Sequence, residues 1–242
     1  MRNLTDFRVL TFDCYGTLID WETGIWDALQ PVIAANHRSD ITRQPALRAF
    51  ARHESRQEAE TPHEVYPEIL RRVHRSLAAE LNLDTDDHLD SAFGASVPMW
   101  PAFPDSADAL RSLAERFRLV ILSNVDREGL AASNRRLGVD FDAVYTAEEI
   151  GSYKPNPVNF AYMLSRLETD LSLRDSDVLH TAQSLFHDHV PASRLGLGTA
   201  WIDRQRLSQG GGWGATAEVE ARPITDFTFF TLGEMVEAVA VS

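Results

Sequence analysis

The sequence predicts an α/β fold, in which a Rossmann-like core with a parallel sheet carries an inserted helical domain. Short apolar segments alternate with helix-like periodicity through the second half of the chain. The first apolar segment is separated from the others by a long stretch that shows helical periodicity only. We therefore expect a core formed by residues 1–21 and 98–242, and a helical domain formed by residues 22–97.

The elements of the first half follow from local patterns. A buried strand is predicted at residues 7–12, and it leads into a glycine-containing loop at residues 13–17. Apolar residues then recur at helical spacing over residues 25–33 and again over residues 69–81. A proline-dense segment at residues 98–104 ends this helical stretch and is predicted to be a linker.

The second half contains the remaining strands. Asp105 is expected to cap the helix that follows the linker. Further strands are predicted at residues 119–122, 144–145, 177–180, 199–202 and 227–230. The glycine run at residues 209–214 follows no strand directly and lacks the dinucleotide-binding spacing, so we interpret it as a loop rather than a phosphate cradle.

The composition limits the function classes. The chain has 242 residues and a formal net charge of -13, which disfavours nucleic acid and anionic membranes as partners. Cys14 is the only cysteine, so no internal disulfide is possible. The sequence shows neither a signal-peptide pattern nor an apolar run of membrane-spanning length. These features predict a cytoplasmic enzyme.

Chemistry-bearing residues follow the predicted strands, where open α/β sheets bind their ligands. They are Asp13 and Thr17 after the first strand, Ser123 and Asn124 after the second, Lys154 before a proline, and Asp188 in a later loop. Lys154 is the only lysine in the chain, whereas arginine supplies the other long basic side chains. Since an ammonium beside a carboxylate keeps that carboxylate ionised, the set suits nucleophilic attack by Asp13 on an anionic small molecule.

In this order, Asp13-Cys14-Tyr15-Gly16-Thr17-Leu18, Ser123-Asn124, Lys154-Pro155 and Asp188 resemble the four motifs of the haloacid dehalogenase superfamily. The phosphatases of that superfamily carry a second aspartate two residues after the nucleophile, where this chain has Tyr15. With an aromatic residue at this position, the sequence resembles the type II L-2-haloacid dehalogenases, which use no metal. The resemblance therefore implies metal-independent hydrolysis of short 2-haloacids without a cofactor, and whether fluoroacetate is one of them stays open.

The resemblance also implies a role for each matching residue. Asp13 would displace the halide and form an ester, which water would hydrolyse. Asp188 would position Lys154 or that water, and Thr17 and Ser123 would hold carboxylate oxygens. Around the substrate and the halide it implies Tyr15, Asn124 and a cap arginine, for which Arg52 is the first choice and Arg56 the second. A homodimer is an expectation that rests on the resemblance alone.

Two positions depart from the family pattern. Phe160 stands where the family has a tyrosine, so that hydroxyl is missing at the substrate site. The segment before Asp188 is replaced, and Ser184 is expected to supply lost polar contacts while His187 tunes the charge of Asp188 or delivers water. His187 and His189 have the H-x-H spacing of a zinc site, but no second ligand pair is evident, so no metal is expected.

Three other functions remain open at this point. A magnesium-dependent phosphatase would use the same nucleophile, although Tyr15 argues against it. A hydrolase that opens a strained ring next to a carboxylate would act without releasing halide. A non-catalytic binding module would have kept the fold and lost the chemistry, although the joint presence of Asp13, Thr17 and Lys154 argues against it.

Overall fold

The computed structural model describes residues 2–242, and its centre is a six-stranded sheet. The strands are β1 Val9–Phe12, β2 Arg118–Ser123, β3 Ala143–Thr146, β4 Val178–Ala182, β5 Gly198–Ile202 and β6 Phe227–Phe229. Their order in the sheet is β3-β2-β1-β4-β5-β6, and every neighbouring pair is parallel. The predicted α/β fold with a parallel sheet is confirmed.

The helices lie between the strands and in one long insertion. They are α1 Trp21–Ala35, α2 Arg43–Glu60, α3 Tyr66–Glu80, α4 Asp87–Gly94, α5 Ser106–Ala114, α6 Arg127–Leu137, α7 Ala147–Ile150, α8 Pro157–Leu171, α9 Val190–Arg194 and α10 Leu232–Ala240. Helices α1–α4 follow β1 without an intervening strand, as the periodicity predicts. None of the helices in residues 2–242 combines the length and the apolar character that crossing a bilayer requires.

The two connections of the inserted helices run side by side. Ile19 and Ala102 form an antiparallel bridge, and the backbone N–H of Asp20 donates to the carbonyl of Pro101 at 2.8 Å. Asp20 also caps α1, since its carboxylate accepts a hydrogen bond from the backbone N–H of Thr23. Entry and exit of the insertion are therefore joined at one place. The boundaries at residues 21/22 and 97/98 stay predictions.

The expectation that Asp105 caps α5 through its side chain is wrong. Asp105 occupies the N-cap position of α5, but its side chain makes no capping hydrogen bond there. Its carboxylate instead accepts from the guanidinium of Arg204 at 2.9 and 3.0 Å and from the backbone N–H of Leu232 at 2.8 Å. Because a fixed cation and the start of α10 both compete for these oxygens, Asp105 ties two distant segments to the core.

The sheet brings three strand ends together. All four residues of β1 are buried, as expected for a central parallel strand covered on both faces. Since β1 lies between β2 and β4, the residues that follow Phe12, Ser123 and Ala182 meet at one edge of the sheet. Asp13, Asn124 and the segment that contains Asp188 follow these strands, so the topology assembles the predicted chemistry at that edge.

Candidate active site

Asp13 follows β1 directly, and its carboxylate faces a cavity at the carboxyl edge of the sheet. Oδ2 accepts a hydrogen bond from the hydroxyl of Thr17 at 2.8 Å, and Oδ1 accepts one from Nζ of Lys154 at 2.9 Å. The Thr17 hydroxyl also accepts from the backbone N–H of Gln183 at 2.9 Å. The turn requires Gly16, whose φ is +96°. Both oxygens of Asp13 are thus held in place while one face stays open to the cavity.

Lys154 is buried behind this carboxylate and uses all three of its ammonium protons. Nζ donates to Oδ1 of Asp13 at 2.9 Å, to Oδ1 of Asp188 at 2.7 Å and to the carbonyl of Leu122 at 2.9 Å. Burial alone would lower the pKa of Lys154, but the two carboxylates outweigh it and raise the pKa. Asn124 holds the backbone of Lys154 on both sides, accepting from its N–H at 2.8 Å and donating to its carbonyl at 3.2 Å.

Asp188 lies on a π-helical turn at Leu185–His189 and is fully buried. Oδ1 is bonded to Lys154 and lies 3.0 Å from Nε2 of His180, whose Nδ1 is 2.9 Å from the hydroxyl of Thr11. Burial opposes ionisation of Asp188, but the Lys154 ammonium and His180 outweigh it, and the pKa of Asp188 is lowered. Because Asp188 is an ionised acceptor, Nε2 of His180 carries the proton and Thr11 donates to Nδ1. His180 therefore orients Asp188 through this hydrogen bond.

Asp13 and Asp188 both contact the Lys154 ammonium, but the pKa of Asp13 is raised whereas the pKa of Asp188 is lowered. Burial raises the pKa of Asp13, Lys154 and the Thr17 hydrogen bond oppose that rise, and the nearby charge of Asp188 adds to it. A carboxylate buried in this way is poorly solvated, and poor solvation makes it a stronger nucleophile when it is ionised. Lys154 supplies the charge that keeps it ionised at neutral pH.

Two glutamates of α2 line the same cavity from the side of the inserted helices. Glu54 accepts a hydrogen bond from the hydroxyl of Tyr66, and the two carboxylate oxygens of Glu58 lie 3.2 and 3.3 Å from Nδ2 of Asn124. Both side chains are almost completely buried. Burial raises the pKa of Glu54 to about 8 and raises the pKa of Glu58 well above its usual range, with the charge of Glu54 as the second cause.

These glutamates were missed by the sequence analysis, although a signal was present. Leu47, Phe50, Glu54 and Glu58 recur at intervals of three and four, so the apolar face of α2 continues directly into the two carboxyls. Leu47 and Phe50 are fully buried, and the same helical face places the glutamates inward. Charged residues that extend a buried helical face are the feature that predicts such a site.

Arg52, expected to bind the halide, lies elsewhere. Its guanidinium donates to Glu80 at 2.7 Å and is 63% exposed, and it does not line the cavity around Asp13. The reason is helical geometry, since a residue two positions before Glu54 projects from the opposite side of α2. Arg56, the second choice, is also exposed and lies 3.7 Å from Glu60. The expectation of a cap arginine at the halide site is therefore corrected.

The other expected site residues divide into two groups. Tyr15, Asn124, Ser184 and His187 line the cavity with Asp13, Lys154 and Asp188. Ser123 and Phe160 do not: the Ser123 hydroxyl accepts from the backbone N–H of Val125 at 3.1 Å, and the Phe160 ring packs edge-on against His180. Ser123 therefore stabilises the strand end, and Phe160 supports His180 from behind.

Polar atoms without a hydrogen-bond partner in the described part of the chain also face the cavity. Burial lowers the pKa of His187 to about 4, so its ring is neutral at pH 7, and its Nδ1 lies 3.2 Å from the hydroxyl of Ser184. Within residues 2–242, neither Nε2 of His187 nor Nε1 of buried Trp21 has a hydrogen-bond partner, and Oδ2 of Asp188 has none either. Buried polar atoms of this kind are satisfied by a ligand or by water.

The residues at this edge do not suit a magnesium ion. Tyr15 takes the place of a second carboxylate, and its hydroxyl lies 2.8 Å from the hydroxyl of Ser133 instead of facing Asp13. The Lys154 ammonium occupies the space between Asp13 and Asp188. No three acidic, histidine or cysteine side chains in the described part of the chain converge closely enough to hold a metal.

Comparison with known proteins finds one related sequence and several structures with a similar fold. A ribulose-1,5-bisphosphate 5-phosphatase of Halopiger xanaduensis is 29% identical over 154 residues, and the match covers 62% of this chain and 62% of that protein. The L-2-haloacid dehalogenase of Xanthobacter autotrophicus superposes with a TM-score of 0.77 at 20% identity, covering 97% of this chain and 98% of its own. A magnesium-bound HAD-hydrolase of Bacillus subtilis gives 0.76 at 18% identity, covering 97% and 99%.

At this level of identity the two structures establish the fold alone. The family follows from a sequence model, that of the haloacid dehalogenase-like hydrolases, which matches residues 7–180. The matched range includes Asp13, Thr17 and Lys154, the residues that the structure joins by direct hydrogen bonds at the end of β1. The chain is a member of the haloacid dehalogenase-like hydrolase family.

Proposed function

We propose that this enzyme is a metal-independent dehalogenase, for which short 2-haloacids are the substrates implied by its sequence and 2-hydroxy acids the products. The observation that carries the proposal is the contact set of Lys154, which joins Asp13 to Asp188 by direct hydrogen bonds in a buried site. This arrangement supplies an ionised, oriented carboxylate beside a small cavity. It requires no metal to activate the nucleophile.

The first step is an in-line displacement. A carboxylate oxygen of Asp13 attacks the carbon that bears the halogen, a C–O bond forms, and the C–halogen bond breaks with release of halide. The product is an ester between Asp13 and the substrate carbon. The halide requires a hydrogen-bond donor as it leaves, and Nε1 of Trp21, buried and without a partner among the described residues, is the donor we assign.

The second step is hydrolysis of that ester. Water adds to Cγ of Asp13, and cleavage of the bond between Cγ and the ester oxygen releases the alcohol. One proton of the water goes to the alcohol, and the other leaves the site as acid. The oxyanion that forms at Cγ is stabilised by Nζ of Lys154 and the hydroxyl of Thr17, which already contact these oxygens. Oδ2 of Asp188, which has no partner among the described residues, can accept a hydrogen bond from the attacking water.

A phosphatase is the second candidate, because the curated relative that matches this chain is named as one. Nucleophilic attack by Asp13 would then occur at phosphorus. Protonation of the leaving oxygen would require a general acid, and the hydroxyl of Tyr15 is engaged with Ser133 and has a pKa that burial raises further. The residues around Asp13 therefore favour a leaving group that needs no proton, such as halide.

Halide release from purified protein tests the proposal. Chloroacetate, fluoroacetate and both enantiomers of 2-chloropropionate are offered in EDTA, with Asp13→Asn as the inactive variant and Asp84→Asn, an exposed carboxylate, as the matched control. We expect halide from at least one substrate, lost in Asp13→Asn and kept in Asp84→Asn. Magnesium-dependent phosphate release from phosphoesters, or turnover of strained-ring carboxylates with no halide release from any haloacid, would replace the proposal with one of its rivals.

A further inference from the structure

The cavity around Asp13 is lined by more carboxyl groups than cationic side chains. Four carboxyl groups line it, those of Asp13, Glu54, Glu58 and Asp188, and Lys154 is its one lysine or arginine among the described residues. Lys154 is not available to a ligand, because Asp13, Asp188 and a backbone carbonyl accept its three protons. A substrate carboxylate would therefore find no free lysine or arginine among the described residues of the cavity and would oppose ionisation of the two buried glutamates, whereas an ammonium group would favour their ionisation.

The cavity is nevertheless arranged for a ligand. Nε1 of Trp21 and Oδ2 of Asp188 are buried at its wall, and neither has a partner in the described chain. About 40 Å³ of the cavity is open to the centre of a water molecule, which corresponds to roughly three waters. A small ligand or water in the cavity would therefore find a donor at Trp21 and an acceptor at Asp188.

Burying two ionisable glutamates costs free energy that their packing and hydrogen bonds alone do not explain. Glutamine at position 54 would still accept from Tyr66, and glutamine at position 58 would still accept from Asn124, without a buried ionisable group. What glutamate adds is the ability to carry a full negative charge, and a buried negative charge is stabilised by a cation. Because no three carboxyls in residues 2–242 converge closely enough to hold a metal ion, an organic cation fits the arrangement better.

We propose that Glu54 and Glu58 bind an ammonium group of the substrate, so that the substrate class is a short halogenated amine rather than a haloacid. The inference rests on the proposed dehalogenase function, since Asp13 would attack the halogen-bearing carbon of the same molecule. Glu54 and Glu58 are one helical turn apart on α2 and face the same cavity, so both accept from one ammonium group. Nε1 of Trp21 then donates a hydrogen bond to the departing halide.

The first test compares three bromides of the same chain length. Bromide release is measured from 3-bromopropylamine, 3-bromopropionate and 3-bromopropionamide, above a blank without enzyme. We expect the amine to have the highest kcat/KM, at least about tenfold above the carboxylate. Glu58→Gln should lower kcat/KM for the amine about tenfold or more relative to kcat/KM for the carboxylate. Glu60→Gln, an exposed glutamate of the same helix, should change neither.

The second test does not depend on dehalogenation. Propylammonium and propionate lack halogen and are compared as ligands by thermal unfolding. We expect propylammonium to raise the melting temperature of the wild-type protein but not of Glu58→Gln, and propionate to raise neither. A preference for propionate, or for 3-bromopropionate over the amine, would overturn the inference while leaving the dehalogenase proposal intact. Stabilisation by propylammonium without release of halide from any substrate would instead reject the dehalogenase and keep the ammonium site.

Discussion

Replacing Glu54 by glutamine should stabilise the protein, although the residue is buried and hydrogen-bonded. Glu54 has a pKa of about 8 in the folded chain and an ordinary value of 4.5, with burial as the main cause. At neutral pH the folded protein keeps this carboxyl protonated, whereas the unfolded chain ionises it. The ionisation lowers the free energy of the unfolded state, and glutamine removes that gain while still accepting from Tyr66.

The magnitude follows from the distance between pH and the ordinary pKa. At pH 7, about 2.5 pH units above 4.5, the loss is about 3 kcal/mol, at 1.36 kcal/mol per unit. Because the folded pKa is the higher one, the contribution of Glu54 to stability is complete below pH 4.5 and is lost as pH rises toward 8. The benefit of glutamine should therefore be near zero at pH 4.5 and should correspond to roughly 6–12 °C in melting temperature at pH 7.

Urea unfolding of wild type and Glu54→Gln across this pH range measures the effect. Glu60→Gln is the matched control, since Glu60 lies on the same helix but is 58% exposed, and it should show no such pH dependence. Equal stability of wild type and Glu54→Gln at both ends of the range would refute the reasoning, as would destabilisation at pH 7. Either result would mean that Glu54 is ionised in the folded protein.

Four further predictions concern the active site and the arginine that the sequence analysis assigned to it. Lys154→Met should abolish halide release and lower the free energy of unfolding by about 3 kcal/mol or more, because Asp13 and Asp188 lose their shared cation; activity and urea unfolding check this. Trp21→Phe should weaken product inhibition by halide several-fold, as inhibition constants would show, and an unchanged constant would exclude its Nε1 as the donor. Arg52→Ala should leave kcat/KM within about twofold, since its guanidinium pairs with an exposed partner. In a pH–rate profile, kcat/KM should fall on the acid side with a midpoint above 3.8, because burial raises the pKa of Asp13 and only its ionised form attacks.

The core of the site could be predicted because it follows strand ends. Asp13 and Asn124 come directly after β1 and β2, and parallel neighbours bring their carboxyl ends together. The solitary Lys154 pointed to a specific partner, and the structure places it against Asp13 and Asp188. Local sequence was sufficient here because the geometry of a parallel sheet converts position along a strand into position in space.

The ligand-binding side could not be predicted in the same way. Which residue of α2 faces Asp13 depends on the rotation of that helix against the sheet, and Arg52 and Glu54 lie on opposite sides of it. The family resemblance favoured an arginine, whereas the buried face of the helix ends in Glu54 and Glu58. His180 was likewise not assigned, because its role depends on a hydrogen bond to Asp188 across the loop.

The central claim is that Asp13 forms an ester with its substrate, and isotope transfer tests it most directly. A single turnover is run in water enriched in oxygen-18, with enzyme in excess over whichever halogenated substrate proves active, and the peptide that contains Asp13 is weighed by mass spectrometry. Because water attacks Cγ of the ester, we predict the heavy oxygen in the carboxylate of Asp13 and ordinary oxygen in the alcohol. Heavy oxygen in the alcohol after one turnover, with none in Asp13, would show direct attack by water and would contradict the mechanism.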